Sequence, residues 1–305
     1  MTHIEKIAEG FHLLEGPVWD PNIGLIFADA EGGGVFVLKD TETGPTSIVQ
    51  HRRGIGGLVR HQAGGLVVSG RNVAYKGSDI PSTVVLLDNT PEISGMVGFS
   101  DMCADASGRV LAGMLGSRPT EENHLSNHGS LWLIDLDGSA RCLIPTPNVR
   151  HTNGLAFSPN DTSLYYADSA QRAVFVYDYD VDCGSVGEPR LFATMDAGIP
   201  DGLAVATDGS VWVANAFASR VLVFGPDGDL QRTINVPQEI VTNVCFGGPA
   251  MDEIFITTGS LNPAERVGAV YHLPNDVPGL QTHQAKCPVL VGVAPPAVSP
   301  KGATQ

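Results

Sequence analysis

Short runs of apolar residues, separated by polar turns, repeat along most of the chain. Residues 199–230 show the pattern most clearly, with Asp-Gly turns at Asp208-Gly209 and Asp227-Gly228. The strands predicted in this segment are Leu203–Val205, Ser210–Ala214 and Arg220–Phe224. Asp-Gly between alternating apolar residues is a strong hairpin signal, because both turn positions must tolerate positive φ. The segment therefore predicts a meander of antiparallel strands.

The same pattern recurs in six copies along the 305-residue chain. The equivalent positions, each just before the first apolar strand predicted for its copy, are Glu15, Gly56, Ser100, Asn153, Asp201 and Thr242. A period of about 40–50 residues with several strands per repeat is typical of a β-propeller. The sequence thus predicts an all-β fold, a six-bladed β-propeller with four-stranded antiparallel blades. The two chain ends should complete one blade together, since an open ring would leave unpaired strand edges.

Residues 1–294 are expected to form a single propeller domain, followed by a disordered tail at 295–305. Hydrophobic residues make up 43% of the chain, which is ample for a core of this size. One long polar stretch, Met114–Gly129, has no strand pattern and interrupts the third copy. This insertion is expected to be an exposed loop that covers the functional site.

Charge and cysteine usage narrow the classes of partner. The net charge is −15 and no basic stripe exists, so a nucleic-acid surface is not expected. The first residues lack the features of a signal peptide, and no apolar run reaches the roughly 18 residues of a membrane helix. The five cysteines are odd in number and widely spaced, which favours reduced thiols in a cytoplasmic protein. The oligomeric state is left open.

The six equivalent positions should ring one mouth of the central channel, because the first strand of each blade lines it. Glu15, Asn153 and Asp201 would bring hard oxygen ligands to one point, which suits a divalent cation. Asn-Gly and Asp-Gly are also ordinary turn dipeptides, so a plain turn is the alternative interpretation. Glu15 argues against that alternative, since glutamate is a poor turn residue.

Several motifs resemble the gluconolactonase and senescence-marker-protein (regucalcin) family, in family order over roughly residues 10–275. They are Glu15-Gly16-Pro17-Val18-Trp19, Asn153-Gly154-Leu155, Tyr166-Ala167-Asp168-Ser169, Tyr177-Asp178-Tyr179-Asp180, Pro200-Asp201-Gly202-Leu203 and Phe246-Gly247-Gly248-Pro249. The resemblance implies a six-bladed propeller that binds one divalent cation and hydrolyses lactones. It also implies that Glu15, Asn153 and Asp201 are the metal ligands and that Asp201 is the catalytic base. Ca²⁺ is the first expectation, with Zn²⁺, Mn²⁺ or Mg²⁺ as alternatives.

The third copy departs from the family pattern. Sugar-lactone hydrolases of the family have Arg-x-Asn-Asp where this chain has Gly98-Phe99-Ser100-Asp101, so only Asp101 is kept. We assign Asp101 a catalytic role in orienting the attacking water. The candidate substrate-binding residues are Ser100, His151, Phe99 and Met102. The missing polar groups predict a small-molecule lactone with fewer hydroxyl groups than gluconolactone, unless polar residues of the insertion replace them.

Other functions remain open at this stage. A propeller can also be a binding or regulatory protein in which the cation is structural, and fold alone does not decide. Another cyclic ester or an organophosphate could be the substrate. No Gly-x-Ser-x-Gly motif is present, which disfavours a serine hydrolase. His151 could act as a second base, contact substrate or be structural.

Overall fold

The computed structural model describes residues 4–77, 83–88, 96–117, 128–145 and 148–289. These residues form six four-stranded antiparallel sheets and no helix. The predicted six-bladed propeller is confirmed. The predicted tail at 295–305 lies outside the described residues, as do residues 118–127 of the insertion.

The blades follow one another along the chain. Blade 1 contains β2 (Leu14–Asp20), β3 (Gly24–Asp29), β4 (Val35–Leu38) and β5 (Thr46–Val49). Blade 2 contains β6 (Leu58–Arg60), β7 (Leu66–Val68), β8 (Val73–Lys76) and β9 (Val84–Leu87). Blade 3 contains β10 (Gly98–Ala104), β11 (Val110–Leu115), β12 (Ser130–Ile134) and β13 (Ala140–Ile144). Blade 4 contains β14 (Thr152–Phe157), β15 (Ser163–Asp168), β16 (Ala173–Asp180) and β17 (Ser185–Thr194). Blade 5 contains β18 (Ile199–Val205), β19 (Val211–Ala216), β20 (Arg220–Phe224) and β21 (Leu230–Asn235).

Blade 6 is built from both ends of the chain. It contains β22 (Ile240–Gly247), β23 (Glu253–Gly259), β24 (Gly268–Pro274) and, as its outermost strand, β1 (Glu5–Phe11). β1 pairs antiparallel with β24, with Glu5 opposite His272 and Phe11 opposite Gly268. The ring is therefore closed by backbone hydrogen bonds, as predicted from the unpaired strand edges that an open ring would leave.

The core lies between neighbouring blades. One cluster, for example, packs Trp212 and Val221 of blade 5 against Phe246 and Ile254 of blade 6. The second strands are buried on both faces, and all six residues of β3, β11 and β19 are buried. Strands buried on both faces read as continuous apolar runs, whereas outer strands such as β21 are largely exposed. The insertion begins later than expected, because Met114 and Leu115 are buried residues of β11.

A segment after the last strand crosses one end of the channel. This C-terminal strap, residues 278–286, accepts a backbone hydrogen bond at Pro278 from Thr207, and its Leu280 donates one to Val205. At its other end Ala285 and Lys286 donate to Arg60 and Gly108. The strap thus joins blade 5 to blades 2 and 3 and covers that end, which we call the lower end. The repeat pattern of the sequence does not extend to this strap and did not predict it.

Two further expectations concern membranes and cysteines. Across the described ranges, no helix is long and apolar enough to cross a membrane. All five cysteines lie within those ranges and none forms a disulfide.

Candidate functional site

The six equivalent positions of the repeats meet at the upper end of the channel, opposite the strap. Together they line a cavity of about 120 Å³, and we call them the ring residues: Glu15, Gly56, Ser100, Asn153, Asp201 and Thr242. Their shared register therefore translates into a shared location. The prediction that each precedes its first strand is wrong for most of them. Asn153 lies inside β14 and Asp201 inside β18.

Five of the six ring residues lie at an interruption of their strand's pairing, which turns their side chains into the channel. In five blades the pairing register between the first and second strands shifts at or beside the ring residue. The shifts fall between Glu15 and Val18, Phe99 and Met102, Thr152 and Leu155, Pro200 and Leu203, and Val241 and Asn243. A β-bulge leaves residues unpaired and re-aims their side chains. The bulges therefore place the ring side chains at a common point.

Glycines follow the ring position because the inner strands approach closely there. A Cβ on Gly154 would lie 2.5 Å from the backbone nitrogen of Leu203, and one on Gly202 would lie 1.8 Å from Cγ of Asn243. Neither distance is sterically possible. The Asn-Gly and Asp-Gly pairs at 153–154 and 201–202 are thus strand residues, and the turn interpretation is wrong for both.

Two buried aspartates hold the start of the inner strands in blades 1 and 4. Asp29 accepts hydrogen bonds from the backbone nitrogens of Leu13 and His12, just before Glu15. Asp168 likewise accepts from the backbone nitrogens of His151 and Arg150, just before Asn153. These contacts fix the backbone two residues before a ring residue. Asp168 belongs to the motif Tyr166–Ser169, but the motif alone indicated no role for it.

Within the described residues, Asp201 has a buried carboxylate oxygen that accepts no hydrogen bond. The residue is 8% exposed, and its Oδ1 has no hydrogen-bond partner among the described residues. Burial, followed by the charge of Asp101, raises the pKa of Asp201 well above its ordinary value. Burial, then the charges of Asp201 and Asp101, also raise the pKa of Glu15. A cation between Glu15 and Asp201 would relieve both effects, so the pair fits a metal site.

Asn153 supplies a neutral oxygen to the same cavity. Its Nδ2 donates to Ser169 Oγ over 2.8 Å, which leaves its carbonyl oxygen as the polar atom available to the ring. Two carboxylates and an amide oxygen form a hard donor set of the kind that binds Ca²⁺ or Mg²⁺. In the described part of the chain, no three His, Cys, Asp or Glu side chains are grouped to hold a metal. Three protein ligands including an amide would leave the other coordination positions to water or substrate.

Asp101 lies one layer below the ring. It lines a second cavity of about 190 Å³ on the strap side of the channel, together with Asn243. Asn243 Nδ2 donates to Asp101 Oδ1 over 3.3 Å, and burial raises the pKa of Asp101 to about 7. The charge of Asp101 contributes, after burial, to the raised pKa values of Glu15 and Asp201. Asn243 was missed, although it follows Thr242 as Asp101 follows Ser100.

The predicted substrate-binding residues are divided between the two cavities. His151, which is 4% exposed, and Phe99 line the upper cavity. Ser100 also lines it, but its hydroxyl bonds the carbonyl and the hydroxyl of Thr152 at 2.9 and 2.8 Å. Met102 lines the lower cavity instead. The structure thus brings His151, Phe99 and Ser100 to the ring and separates Met102 from it.

The rim of the upper cavity is largely apolar, a feature that sequence reasoning missed. Its apolar residues include Leu13, Ile199, Phe217, Ile240 and Leu261. Leu13, Ile199 and Ile240 each stand two residues before a ring residue, and residues i and i−2 of a strand share a face. This spacing of two residues could have identified the three residues from the sequence. Phe217 is 41% exposed and lies in the turn after β19, where its φ of 63° places its backbone in the left-handed region.

Comparison with known proteins identifies the family. The family model described as SMP-30/Gluconolactonase/LRE-like region matches residues 13–260, which include every ring residue. The chain belongs to this family. The resemblance seen in the motifs is confirmed.

Members of the family resemble the chain over most of its length. Regucalcin of Xenopus laevis is 30% identical over 256 residues, which cover 83% of this chain and 85% of the relative. The 6-deoxy-6-sulfogluconolactonase of Pseudomonas putida is 30% identical over 276 residues, covering 87% and 92%. Among solved structures, a luciferin-regenerating enzyme superposes with a TM-score of 0.83 at 25% identity, covering 94% of this chain and 100% of that one.

Proposed function

We propose that the protein is a divalent-metal-dependent lactonase that opens a cyclic ester with an activated water. The observation that carries the proposal is the buried Asp201 carboxylate. In the described part of the chain its Oδ1 has no hydrogen-bond partner, and Glu15 and Asn153 line the same cavity. A family relative named as a lactonase supports the reaction class. The proposed substrate is a small-molecule lactone.

Glu15, Asn153 and Asp201 would hold the cation, with Ca²⁺ as the first candidate because all three ligands are hard oxygens. Zn²⁺, Mn²⁺ and Mg²⁺ are the alternatives. When bound, such a cation polarises a carbonyl oxygen and lowers the pKa of a coordinated water. A carboxyl group binds a cation in its ionised form, so Glu15 and Asp201 would hold the cation most firmly when both are ionised.

Asp201 is the proposed general base. Its carboxylate accepts a proton from the attacking water as the oxygen of that water bonds to the carbonyl carbon of the lactone. The bond between this carbon and the ring oxygen then breaks, and the proton returns to that oxygen to give a hydroxy acid. Burial, followed by the charge of Asp101 one layer below, raises the pKa of Asp201, and a carboxylate with a higher pKa is a better proton acceptor. His151 stands beside the reacting groups and would contact substrate.

The cavity favours a lactone that is neutral and partly apolar. The residues known to line the upper cavity include Glu15, Glu31 and Asp201 but no lysine or arginine. Glu15 and Asp201 would balance the charge of a bound divalent cation, which leaves Glu31 to repel a substrate anion. The hydroxyl of Thr242 donates a hydrogen bond to the carbonyl oxygen of Leu14, and that of Ser100 donates one to the carbonyl oxygen of Thr152. With both hydroxyls engaged and an apolar rim above, few groups of the described lining remain to bind sugar hydroxyls.

The proposal is tested by measuring hydrolysis of a lactone panel before and after dialysis against a chelator, with circular dichroism as the control for folding. We expect activity that is lost with the metal and restored by adding CaCl₂, while the β-sheet signal persists. Cation binding without hydrolysis of any lactone would instead favour a binding or regulatory propeller. Hydrolysis that survives complete metal removal would contradict the mechanism.

A further inference from the structure

A buried serine, Ser169, connects two of the ring residues. It directly follows β15 and is fully buried. Its Oγ lies 2.7 Å from the carbonyl oxygen of Pro200 and 2.8 Å from Nδ2 of Asn153. Pro200 immediately precedes Asp201. One hydroxyl thus joins the side chain of Asn153 in blade 4 to the backbone beside Asp201 in blade 5.

The chemistry of these groups fixes the direction of both hydrogen bonds. The carbonyl oxygen of Pro200 can only accept, so the single hydroxyl hydrogen of Ser169 is donated to it. Ser169 Oγ must then accept from Asn153, and only the NH₂ group of the amide can donate. The carbonyl oxygen of Asn153 therefore turns toward the cavity.

We propose that Ser169 is a positioning residue that selects the metal-binding orientation of Asn153. The inference rests on the proposed metal site. An asparagine amide has two faces of similar shape, but only its oxygen has a lone pair for a cation, and a flipped amide would present hydrogens instead. Because the same hydroxyl is anchored to Pro200, the orientation of Asn153 is linked to the backbone that presents Asp201. Groups in this position behind a ligand typically change metal affinity by about 10–100-fold when removed.

Blade 2 provides a matched control. Ser69 is as fully buried as Ser169, and its Oγ accepts from the backbone nitrogens of Gly56 and Gly57 at 3.0 and 2.8 Å. The ring residue there is Gly56, which has no side chain to orient. Ser69→Ala therefore removes an equally buried hydroxyl beside the ring without affecting a proposed ligand.

The experiment titrates CaCl₂ into the full-length, metal-stripped protein by isothermal calorimetry, and repeats the titration with MnCl₂. Ser169→Ala should weaken binding by about 10–100-fold, whereas Ser69→Ala should leave the affinity at the wild-type value. If Ser169→Ala does not fold, Ser169→Cys replaces the hydroxyl by a weak donor and acceptor and should show the same loss. The calcium-dependent rise in melting temperature provides a second readout independent of activity.

A second starting variant, Asn153→Asp, distinguishes a loss of side-chain orientation at position 153 from a general disturbance of the cation site. In Asn153→Asp the side chain offers an oxygen in either orientation, so adding Ser169→Ala to it should weaken cation binding much less than in the wild type. Equal losses in both backgrounds would overturn the inference, as would wild-type affinity in Ser169→Ala or Ser169→Cys. A wild-type protein that binds no divalent cation would overturn both this inference and the metal site on which it rests.

Discussion

The carboxyl groups of Glu15 and Asp201 enter the same cavity from blades 1 and 5, and the charge of Asp201 adds to burial in raising the pKa of Glu15. Residues so far apart in sequence meet because both occupy one register position of a closed repeat. Two carboxyl groups that oppose each other's ionisation are unfavourable unless something positive lies between them.

Replacing Asp201 should abolish hydrolysis without unfolding the protein. Asp201→Asn removes both the proton acceptor and a charged ligand, and a positioned base alone contributes about 10²–10⁴-fold. We expect kcat to fall by at least that factor in steady-state assays. Asp208→Asn, the same change in the exposed turn after β18, is the control and should behave as wild type. Near-wild-type turnover by Asp201→Asn would show that another group is the base.

The stabilising effect of the cation should increase with pH. An acid whose pKa is higher in the folded state binds more protons there, so its contribution to stability falls as pH rises from its ordinary pKa through the raised one. Glu15 and Asp201 both have raised pKa values, so the metal-free protein should lose stability across this range. A cation that binds the ionised pair offsets this loss.

This pH dependence is measured as the difference in melting temperature with and without CaCl₂. The difference should be larger at about pH 8 than at about pH 5, where protons compete with the metal. Glu15→Gln removes one of the two titrating groups, so the pH dependence of the difference should become shallower. A calcium effect that is equal at both pH values would argue against these two carboxyl groups as ligands.

The apolar rim predicts a preference among neutral lactones. An alkyl-substituted γ- or δ-lactone should have a higher kcat/KM than a polyhydroxy aldonolactone, because Phe217 and Leu261 offer apolar contact and no hydrogen bonds. Phe217→Ala should reduce kcat/KM for the alkyl lactone by about 10-fold or more and leave an unsubstituted lactone nearly unchanged. Leu191→Ala, at an exposed apolar position on the outer edge of blade 4, is the control. A clear preference for the aldonolactone would contradict this account of the pocket.

The acidic lining predicts discrimination against anionic substrates. A lactone with a sulfonate or carboxylate substituent should have a lower kcat/KM than its neutral analogue, since Glu31 lines the cavity near the ring. Glu31→Gln should narrow the gap, and added salt should narrow it as well because it screens the repulsion. Equal rates for the two substrates at low salt would contradict the repulsion assigned to Glu31.

The repeat pattern predicted the blade number and the ring residues because both depend on register, which the sequence displays directly. Hydrogen-bond partners are different, since they depend on which blade lies beside which. Ser169 contacts Asn153 within blade 4, but it reaches Pro200 only once blades 4 and 5 pack together. No spacing in the sequence indicates that second contact. Phe217 was missed for a related reason, since it lies in a loop outside the alternating pattern. Asn243, by contrast, could have been found by extending the alignment one residue past the ring.

The sharing of blade 6 between β1 and β22–β24 has a consequence for biosynthesis. Among the described strands, β1 at residues 5–11 is synthesised before all the others, whereas its partner β24 at residues 268–274 is synthesised after them. Blades 1 to 5 can form their sheets while the chain is still growing, but β1 must wait without a partner through most of translation. During that interval a short segment with unsatisfied backbone groups is available to pair with other nascent chains. A fusion partner or tag placed directly before Glu5 would sit at this seam, so its effect on yield should far exceed that of the same tag on an outer loop.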